Sequence, residues 1–177
     1  MKILAFAASS SRESINKQLA ACALSQYSDA QTQLLDLNDY ELPIYSIDKE
    51  KESGIPDKAK EFFEKIGNSD ALIIAFAEHN GSYTAAYKNI FDWMSRIDQK
   101  VFQSKPMIML ATSPGKGGAK NVLAQATASA PYFGGELKGS LSIANFYSVF
   151  DSSKATLNDE TLKLLNDVLK NLKELSV

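Results

Sequence analysis

Five short apolar runs alternate along this chain with segments of helical period, and this alternation constrains the fold more than any other feature. The clearest run, ALIIAF at 71–76, is apolar throughout and has the length of a strand. Strands of this kind between helices are typical of βαβ units, in which helices cover both faces of a parallel sheet. The predicted strands are residues 2–7, 32–37, 70–76, 107–111 and 137–143, and the predicted helices are 14–27, 56–66, 84–97, 118–130 and 158–175.

Five strands and five helices in 177 residues indicate one domain spanning residues 1–177. The predicted class is α/β: a flavodoxin-like doubly wound five-stranded parallel sheet, order 2-1-3-4-5, with helices on both faces. Residues 38–55, with Pro43 and Gly54 among charges, are predicted to form one long surface connection. In this strand order the ends of strands one, three and four lie side by side, so their loops should line one crevice.

Composition narrows the class of partner. A net charge of -2 gives no sign of the clustered Lys and Arg that nucleic acid or an anionic membrane requires, so small molecules are favoured. The single cysteine, Cys22, excludes a disulfide or a multi-cysteine metal site within one chain and fits a reducing compartment. No apolar run has the length of a membrane span, and the apolar start is too short for a signal peptide. We therefore expect a cytoplasmic protein.

The loop after the first strand reads SSSRESIN at 9–16 and combines hydroxyls, an amide and a guanidinium with the start of a helix. Free backbone N–H groups and the positive end of the helix dipole make such a site suitable for a phosphate. A helix cap explains one serine, but it does not explain the whole group. The candidate cofactor contacts in this loop are Ser9, Ser11, Arg12, Ser14, Ile15 and Asn16.

The loop after the fourth strand reads TSPGKGG at 112–118. Three glycines in four positions allow backbone N–H groups to approach a flat ligand closely. The spacing matches neither a Walker loop nor a complete G-x-G-x-x-G motif, so a plain loop remains the alternative. The candidate contacts are Ser113, Pro114, Gly115, Lys116, Gly117 and Gly118.

The third loop, after the strand at 70–76, offers a glycine, an aromatic ring and several polar groups between the other two loops. This combination suits a planar heteroaromatic ring, and flavin mononucleotide (FMN) joins such a ring to a terminal phosphate. Flavin chemistry needs no protein acid to move a hydride, so no catalytic side chain and no metal are assigned. The candidate contacts are Glu78, His79, Asn80, Gly81, Ser82 and Tyr83.

Two further features have a structural and a functional interpretation. The helix at 84–97 carries a wide apolar stripe with large aromatics, which indicates either a buried core helix or a subunit interface. Cys22 lies on the apolar stripe of the first helix and is predicted to be a core residue rather than a redox thiol.

The three loops together resemble the NAD(P)H-dependent FMN reductase family, flavodoxin-like proteins that include small azo, quinone and chromate reductases. The family's first motif, G-S-x-R-x-x-S-x-N, is similar to ASSSRESIN at 8–16. Its second, P-x-Y-N-G-S followed by L-K-N-x-x-D-W, is similar to AEHNGS at 77–82 followed by YKNIFDW at 87–93, and the Ser-Pro-Gly loop stands at 113–118. The resemblance covers about residues 5–151.

The resemblance implies that Ser9, Ser11, Ser14 and Asn16 hold the FMN phosphate. In this chain Ser11 stands at the family's Arg position, with Arg12 one step later, and His79 stands at its Tyr position. It also implies hydride transfer from NAD(P)H to FMN, then to a flavin, quinone, azo compound or metal oxyanion, on a homodimer or homotetramer. Lys116 is a candidate for a cation near the pyrimidine edge of the flavin.

Two alternatives stay open at this stage. One is a flavodoxin-like electron carrier, although such carriers have strongly acidic docking surfaces and this chain has a net charge of only -2. The other is a flavin-free relative that uses the crevice for another ligand, since fold does not fix function.

Overall fold

The computed structural model describes residues 1–174, so the predicted end of the last helix at Leu175 lies outside the described residues. Its main strands are β1 (Lys2–Ala8), β2 (Gln31–Leu35), β3 (Ala71–Phe76), β4 (Lys105–Thr112) and β5 (Gly135–Ile143). They form one parallel sheet in the order β2-β1-β3-β4-β5, which confirms the predicted topology.

Helices connect these strands and include the five that were predicted. They are α1 (Ile15–Leu24), α2 (Ile47–Ser53), α3 (Asp57–Gly67), α4 (Ala85–Met94), α5 (Lys120–Ser129), α6 (Phe146–Val149) and α7 (Asp159–Lys173). Within residues 1–174, none of them combines the length and the hydropathy that crossing a bilayer would need.

The prediction of a plain surface connection at 38–55 was wrong. A 3-10 helix (Leu37–Tyr40) and α2 lie in this segment, and α4 holds the part between them. The Asn89 amide donates to the carbonyl oxygens of Leu42 and Pro43 at 3.1 Å each, and Trp93 Nε1 donates to Pro43 at 2.8 Å. The sequence did not reveal α2 because none of its residues is buried, so it has no apolar period.

Short elements after the main sheet were also missed. The helix α6 has four residues, and β6 (Phe150–Asp151) pairs with β7 (Thr156–Leu157) in a small antiparallel ribbon. Elements of two to four residues are too short to show a hydrophobic period. They matter here because α6 follows β5 at the edge of the sheet where the strands end.

The core lies on both faces of the sheet, as expected for a doubly wound fold. Side chains of α1 and α7 cover one face, and those of α3, α4 and α5 cover the other. Cys22 is 1% exposed within the first of these layers, which confirms its predicted core position. Part of the apolar stripe of α4 is buried in this chain's own core, with Ile90 2% and Met94 1% exposed, which supports the core interpretation of those residues. The subunit-interface interpretation stays a prediction.

Three strands end at the same level and so bring their loops together. Ala8 at the end of β1 pairs with Phe76 at the end of β3, and Phe76 pairs with Ala111 in β4. The hydroxyl of Thr84, the N-cap residue of α4, donates to the carbonyl oxygen of Ala8 at 3.0 Å. The sheet register and this buried hydrogen bond therefore fix the β1 end relative to the start of α4.

Candidate functional site

A crevice of about 260 Å³ lies where the loops after β1, β3 and β4 meet. This is the location that the strand order predicts for a ligand site. Its lining residues are Ser9, Ser11, Glu13, Ser14, Ile15, Asn16, Ala77, Glu78, His79, Thr112, Ser113, Pro114 and Tyr147.

The loop after β1 presents hydrogen-bond donors suited to an anion. Ser14 is the N-cap of α1, and its Oγ accepts from the Lys17 N–H, while Ser9 Oγ accepts from the Ser11 N–H at 3.2 Å. Each hydroxyl accepts one bond and still carries a proton to donate. Ile15 N–H, at the first position of α1, has no intrahelical acceptor. Capping and anion binding are therefore compatible at Ser14.

Asn16 has a different role in the structure from the one that its motif suggests. Its Nδ2 donates to the carbonyl oxygen of Thr112 at 3.1 Å, and its Oδ1 accepts from the Thr112 N–H at 3.0 Å. Asn16 is 2% exposed, and these two bonds tie the start of α1 to the end of β4. Its side chain thus holds two walls of the crevice together.

The crevice is not electropositive in its side chains. Arg12 is exposed and does not line it, and the lining contributed by the described residues contains Glu13 and Glu78 but no lysine or arginine. An anion would therefore be held by hydroxyls, N–H groups and the α1 dipole rather than by a guanidinium.

The loop after β3 forms a tight two-residue hairpin. His79 and Ser82 exchange backbone hydrogen bonds, and Asn80 and Gly81 between them both have positive φ, of 52° and 79°. This is the type I′ geometry that Asn-Gly favours. The hairpin leaves His79 on the crevice, while Asn80, Gly81 and Ser82 do not line it.

Tyr83 points away from the crevice. Its ring lies 5.9 Å from that of Phe76 and 5.3 Å from that of Tyr87, and its hydroxyl is 3.3 Å from Ser129 Oγ. The ring packs against these aromatic side chains because they are apolar, whereas the edge of the crevice is polar. The structure therefore separates Tyr83 from Glu78 and His79, the two residues of this group that line the crevice.

Glu78 joins the loop after β3 to α5. Its Oε2 accepts from the Val122 N–H at 2.9 Å, and its Oε1 accepts from Asn121 Nδ2 at 3.3 Å. The N-cap position of α5 is Ala119, which has no side-chain acceptor, so Glu78 supplies the missing cap and a negative charge at the positive end of the helix.

We expect Glu78→Ala to lower the free energy of unfolding by about 1–2 kcal/mol, because α5 loses its only side-chain cap. Glu78→Gln retains a carbonyl oxygen for the Val122 N–H and loses only the charge–dipole interaction, so it should cost less than half as much. Urea denaturation of the two variants measures this. Equal losses would mean that the charge, and not the hydrogen bond, stabilises α5.

The loop after β4 is only partly on the crevice. Ser113 and Pro114 line it, whereas Gly115, Lys116 and Gly117 are exposed and do not. The carbonyl oxygens of Ser113 and Gly115 accept from backbone N–H groups after β5, at 3.1 and 2.9 Å. An influence of Lys116 on a bound flavin stays a prediction.

Gly118 is required by packing rather than by a ligand. Its φ is +60°, and a Cβ there would meet Ser142 Oγ at 2.4 Å and the backbone nitrogen of Ala144 at 3.2 Å. The absence of a side chain at position 118 therefore allows β5 and the start of α5 to lie in contact.

Four lining residues were not predicted from the sequence: Glu13, Ala77, Thr112 and Tyr147. The first three adjoin predicted residues. Tyr147 belongs to α6, where Phe146 is 1% exposed and anchors the helix, while Tyr147 itself is 71% exposed. An aromatic residue just beyond the end of a fifth parallel strand, at the ligand edge of the sheet, is the signal that could have indicated it.

Comparisons with known proteins agree with this geometry. Residues 1–145 match the family model described as NADPH-dependent FMN reductase. An uncharacterized protein from Mycoplasma pneumoniae is 33% identical over 146 residues, which are 80% of this chain and 86% of that protein. A 2-hydroxy-1,4-benzoquinone reductase from a Burkholderia species is 38% identical over 120 residues, 67% of this chain and 63% of the reductase, less than two thirds of its length.

A solved structure supports the fold. FerB, a flavoenzyme NAD(P)H:(acceptor) oxidoreductase from Paracoccus denitrificans, superposes with a TM-score of 0.77 over 98% of this chain and 97% of its own, at 22% identity. The sheet order, the donor-lined crevice and a family model matched over residues 1–145 lead to one assignment. This chain belongs to the NADPH-dependent FMN reductase family.

Proposed function

We propose that this chain is an FMN-dependent oxidoreductase that takes two electrons from NAD(P)H and passes them to a quinone-class acceptor. Membership of the NADPH-dependent FMN reductase family supports the cofactor and the electron donor. The observation that carries the proposal is the crevice, in which the donors after β1 face the polar loops after β3 and β4.

The residues of the crevice fit the phosphate end of FMN. We assign the phosphate to the hydroxyls of Ser9, Ser11 and Ser14 and to the N–H groups at the start of α1, because these are the donors that the crevice collects. Glu78, His79, Ser113 and Pro114 are the proposed neighbours of the rest of the cofactor. Arg12, Asn80, Gly81, Ser82, Tyr83, Gly115, Lys116, Gly117 and Gly118, which the sequence also indicates, do not line the crevice, and contacts from them to the cofactor stay predictions.

The cofactor determines what the protein has to supply. When bound, FMN provides the two-electron chemistry, accepting a hydride from the nicotinamide and returning electrons to the acceptor. We therefore assign no catalytic side chain. The chain's own groups bind the phosphate and orient the cofactor. His79 and Tyr147 are exposed at the crevice, and both substrates would approach the cofactor past them.

The quinone class is favoured among the possible acceptors by the Burkholderia relative, whose name states a benzoquinone substrate and which is 38% identical over the matched stretch. We further propose that residues 1–177 act as one flavodoxin-like domain, that the protein is cytoplasmic and that it forms a homodimer or homotetramer. The oligomeric state follows only from the family resemblance.

The absorbance spectrum of the purified protein after FMN addition and dialysis tests the cofactor site. We expect flavin bands that persist, that bleach anaerobically with NADPH or NADH, and that return on addition of 1,4-benzoquinone. Persistent bands that neither nicotinamide bleaches would identify an electron carrier. An absence of retained flavin would favour the flavin-free alternative.

A matched pair of variants tests the phosphate position. Ser10 and Ser11 are adjacent and exposed, but only Ser11 lines the crevice, while Ser10 lines another cavity beside α4. A carboxylate near the phosphate should cost about 1–4 kcal/mol, so we expect Ser11→Asp to weaken FMN binding roughly tenfold or more. Ser10→Asp adds the same charge to the same loop and should have a much smaller effect. Equal losses of FMN affinity in the two variants would mean that the phosphate does not lie at the proposed position.

A further inference from the structure

Tyr147 stands apart from the other residues of the crevice. Among the described residues that line it, Tyr147 alone follows β5, whereas the others follow β1 or β3 or lie at and after the end of β4. Tyr147 is 71% exposed, and the peptide group makes up too little of a tyrosine's surface to account for this value, so the ring itself is largely exposed. Single exposed aromatic residues are common. This one differs because it is held on a fixed support at the border of a candidate cofactor site.

The backbone turns sharply between β5 and Tyr147 and so directs two successive side chains to opposite sides. Asn145, the N-cap residue of α6, has a left-handed φ of 51°, and its N–H donates to the carbonyl oxygen of Gly115 at 2.9 Å. The next residue, Phe146, is 1% exposed, and its ring stacks on that of Phe150 at 4.6 Å. Phe146 therefore anchors α6 in the core, and Tyr147 is presented outward from this anchor.

Hydrogen bonds at the end of β4 bring α6 to the side of the crevice where α1 begins. The Phe146 N–H donates to the carbonyl oxygen of Ser113 at 3.1 Å. One residue earlier in the chain than Ser113, Thr112 exchanges two hydrogen bonds with the Asn16 side chain of α1. The end of β4 is therefore bonded both to the start of α1 and to the start of α6. Tyr147 follows Phe146 directly, so it borders the crevice at the end where the α1 donors lie.

This end of the crevice has donors but no cation. A phosphate monoester carries a charge of about −1.5 to −2 near pH 7. In the described part of the chain the lining includes Glu13 and Glu78 and no lysine or arginine, so neutral hydroxyls and N–H groups must hold that charge. Such hydrogen bonds are electrostatically stronger where water is excluded and the local dielectric is low. An apolar surface over the phosphate would therefore strengthen them.

We propose that the Tyr147 ring covers the phosphate end of bound FMN and excludes water from the hydrogen bonds made by the loop after β1. Its exposed apolar surface, its anchored support and its position beside the α1 donors suit this role. The ring, rather than the hydroxyl, is the part that acts, because the effect depends on displacing water. This inference rests on the proposed function and adds to it a binding residue from a fourth segment of the chain.

FMN and riboflavin are suitable probes, because they share the ring system and the ribityl chain and differ in the phosphate. The dissociation constant of each is measured by the quenching of flavin fluorescence on binding to the full-length protein. We expect Tyr147→Ala to weaken FMN binding about fivefold to tenfold and riboflavin binding less than about twofold. Tyr147→Phe, which keeps the ring, should leave both affinities nearly unchanged. Leu164→Ala is the control: Leu164 is 52% exposed on α7 and does not line the crevice, so its loss should change neither affinity.

Tyr147→Lys is a second variant that reports the position of residue 147 through charge. A lysine ammonium near the phosphate attracts it, and salt screens this attraction at an exposed site. We expect the FMN affinity of Tyr147→Lys to fall more steeply between about 0.05 and 0.5 M NaCl than that of the unaltered protein. Riboflavin, which has no phosphate, should show the same salt dependence with both proteins.

The outcomes separate this inference from the proposed function. If the unaltered protein binds no FMN, both fail together. If it binds FMN but Tyr147→Ala leaves the FMN affinity unchanged, or weakens FMN and riboflavin equally, the ring does not cover the phosphate and only this inference fails. An equal salt dependence of FMN binding in Tyr147→Lys and the unaltered protein would place residue 147 away from the phosphate and overturn the inference as well.

Discussion

Asn16→Leu should lower the free energy of unfolding by about 2–5 kcal/mol, because both backbone groups of Thr112 lose their partners in a buried position. Leucine matches asparagine in the number and branching of its side-chain heavy atoms, but its methyl groups are bulkier, so overpacking adds to the loss of hydrogen bonds at this buried position. At about 2–4 °C per kcal/mol for a chain of this length, the melting temperature should fall by roughly 4–20 °C. Thermal unfolding of the flavin-free protein, followed by circular dichroism, measures this.

Ser14→Ala is the matched control at the same helix start. It removes one N-cap bond, to Lys17, and should cost about 1 kcal/mol. The pair also distinguishes two roles of Asn16. If Asn16→Leu leaves the melting temperature unchanged and weakens only FMN binding, then the amide contacts the phosphate directly and is not the link between α1 and β4.

Gly118→Ala is the second large effect that we expect. A left-handed backbone costs an L-residue about 1–2 kcal/mol, and the close approach to Ser142 and Ala144 adds about 1–3 kcal/mol. The variant should therefore lose about 2–5 kcal/mol of unfolding free energy. It should also bind FMN more weakly, since the loop after β4 would have to move.

Gly117→Ala is the control, one residue away. A Cβ at Gly117 meets nothing within 4 Å and its φ is not positive, so its stability should change by less than about 0.5 kcal/mol. Urea denaturation compares the two. If both variants lose stability equally, the loss comes from reduced backbone flexibility of the loop and not from a clash between residue 118 and β5.

The sequence predicted the sheet order and the edge at which the crevice lies, because those depend on apolar runs and on the polar residues that follow them. It did not predict the direction of each side chain. The Asn16 amide turns to Thr112, 96 residues away, and the Tyr83 hydroxyl reaches Ser129, 46 residues away, so each has a partner that is distant in sequence.

The same limit applies to Glu78 and α2. Glu78 caps a helix that begins 42 residues later, at Lys120, and no local pattern records that Ala119 leaves the position open. The helix α2 has no buried residue and therefore shows no apolar period in the sequence. The segment before it is held by hydrogen bonds from Asn89 and Trp93, which belong to a different part of the chain. Long-range hydrogen bonds of this kind are visible only once the chain is folded.

The hydrogen bonds of Asn16 to Thr112, of Thr84 to Ala8 and of Glu78 to Val122 have a consequence for engineering. Each joins a strand end or its loop to the start of another helix or the end of another strand, so the position of each crevice loop depends on a partner outside that loop. A single loop grafted from a relative would therefore lack the hydrogen-bond partner that holds it in the relative. The unit that can be exchanged is the loop together with the residue that holds it, which for Glu78 means the first turn of α5.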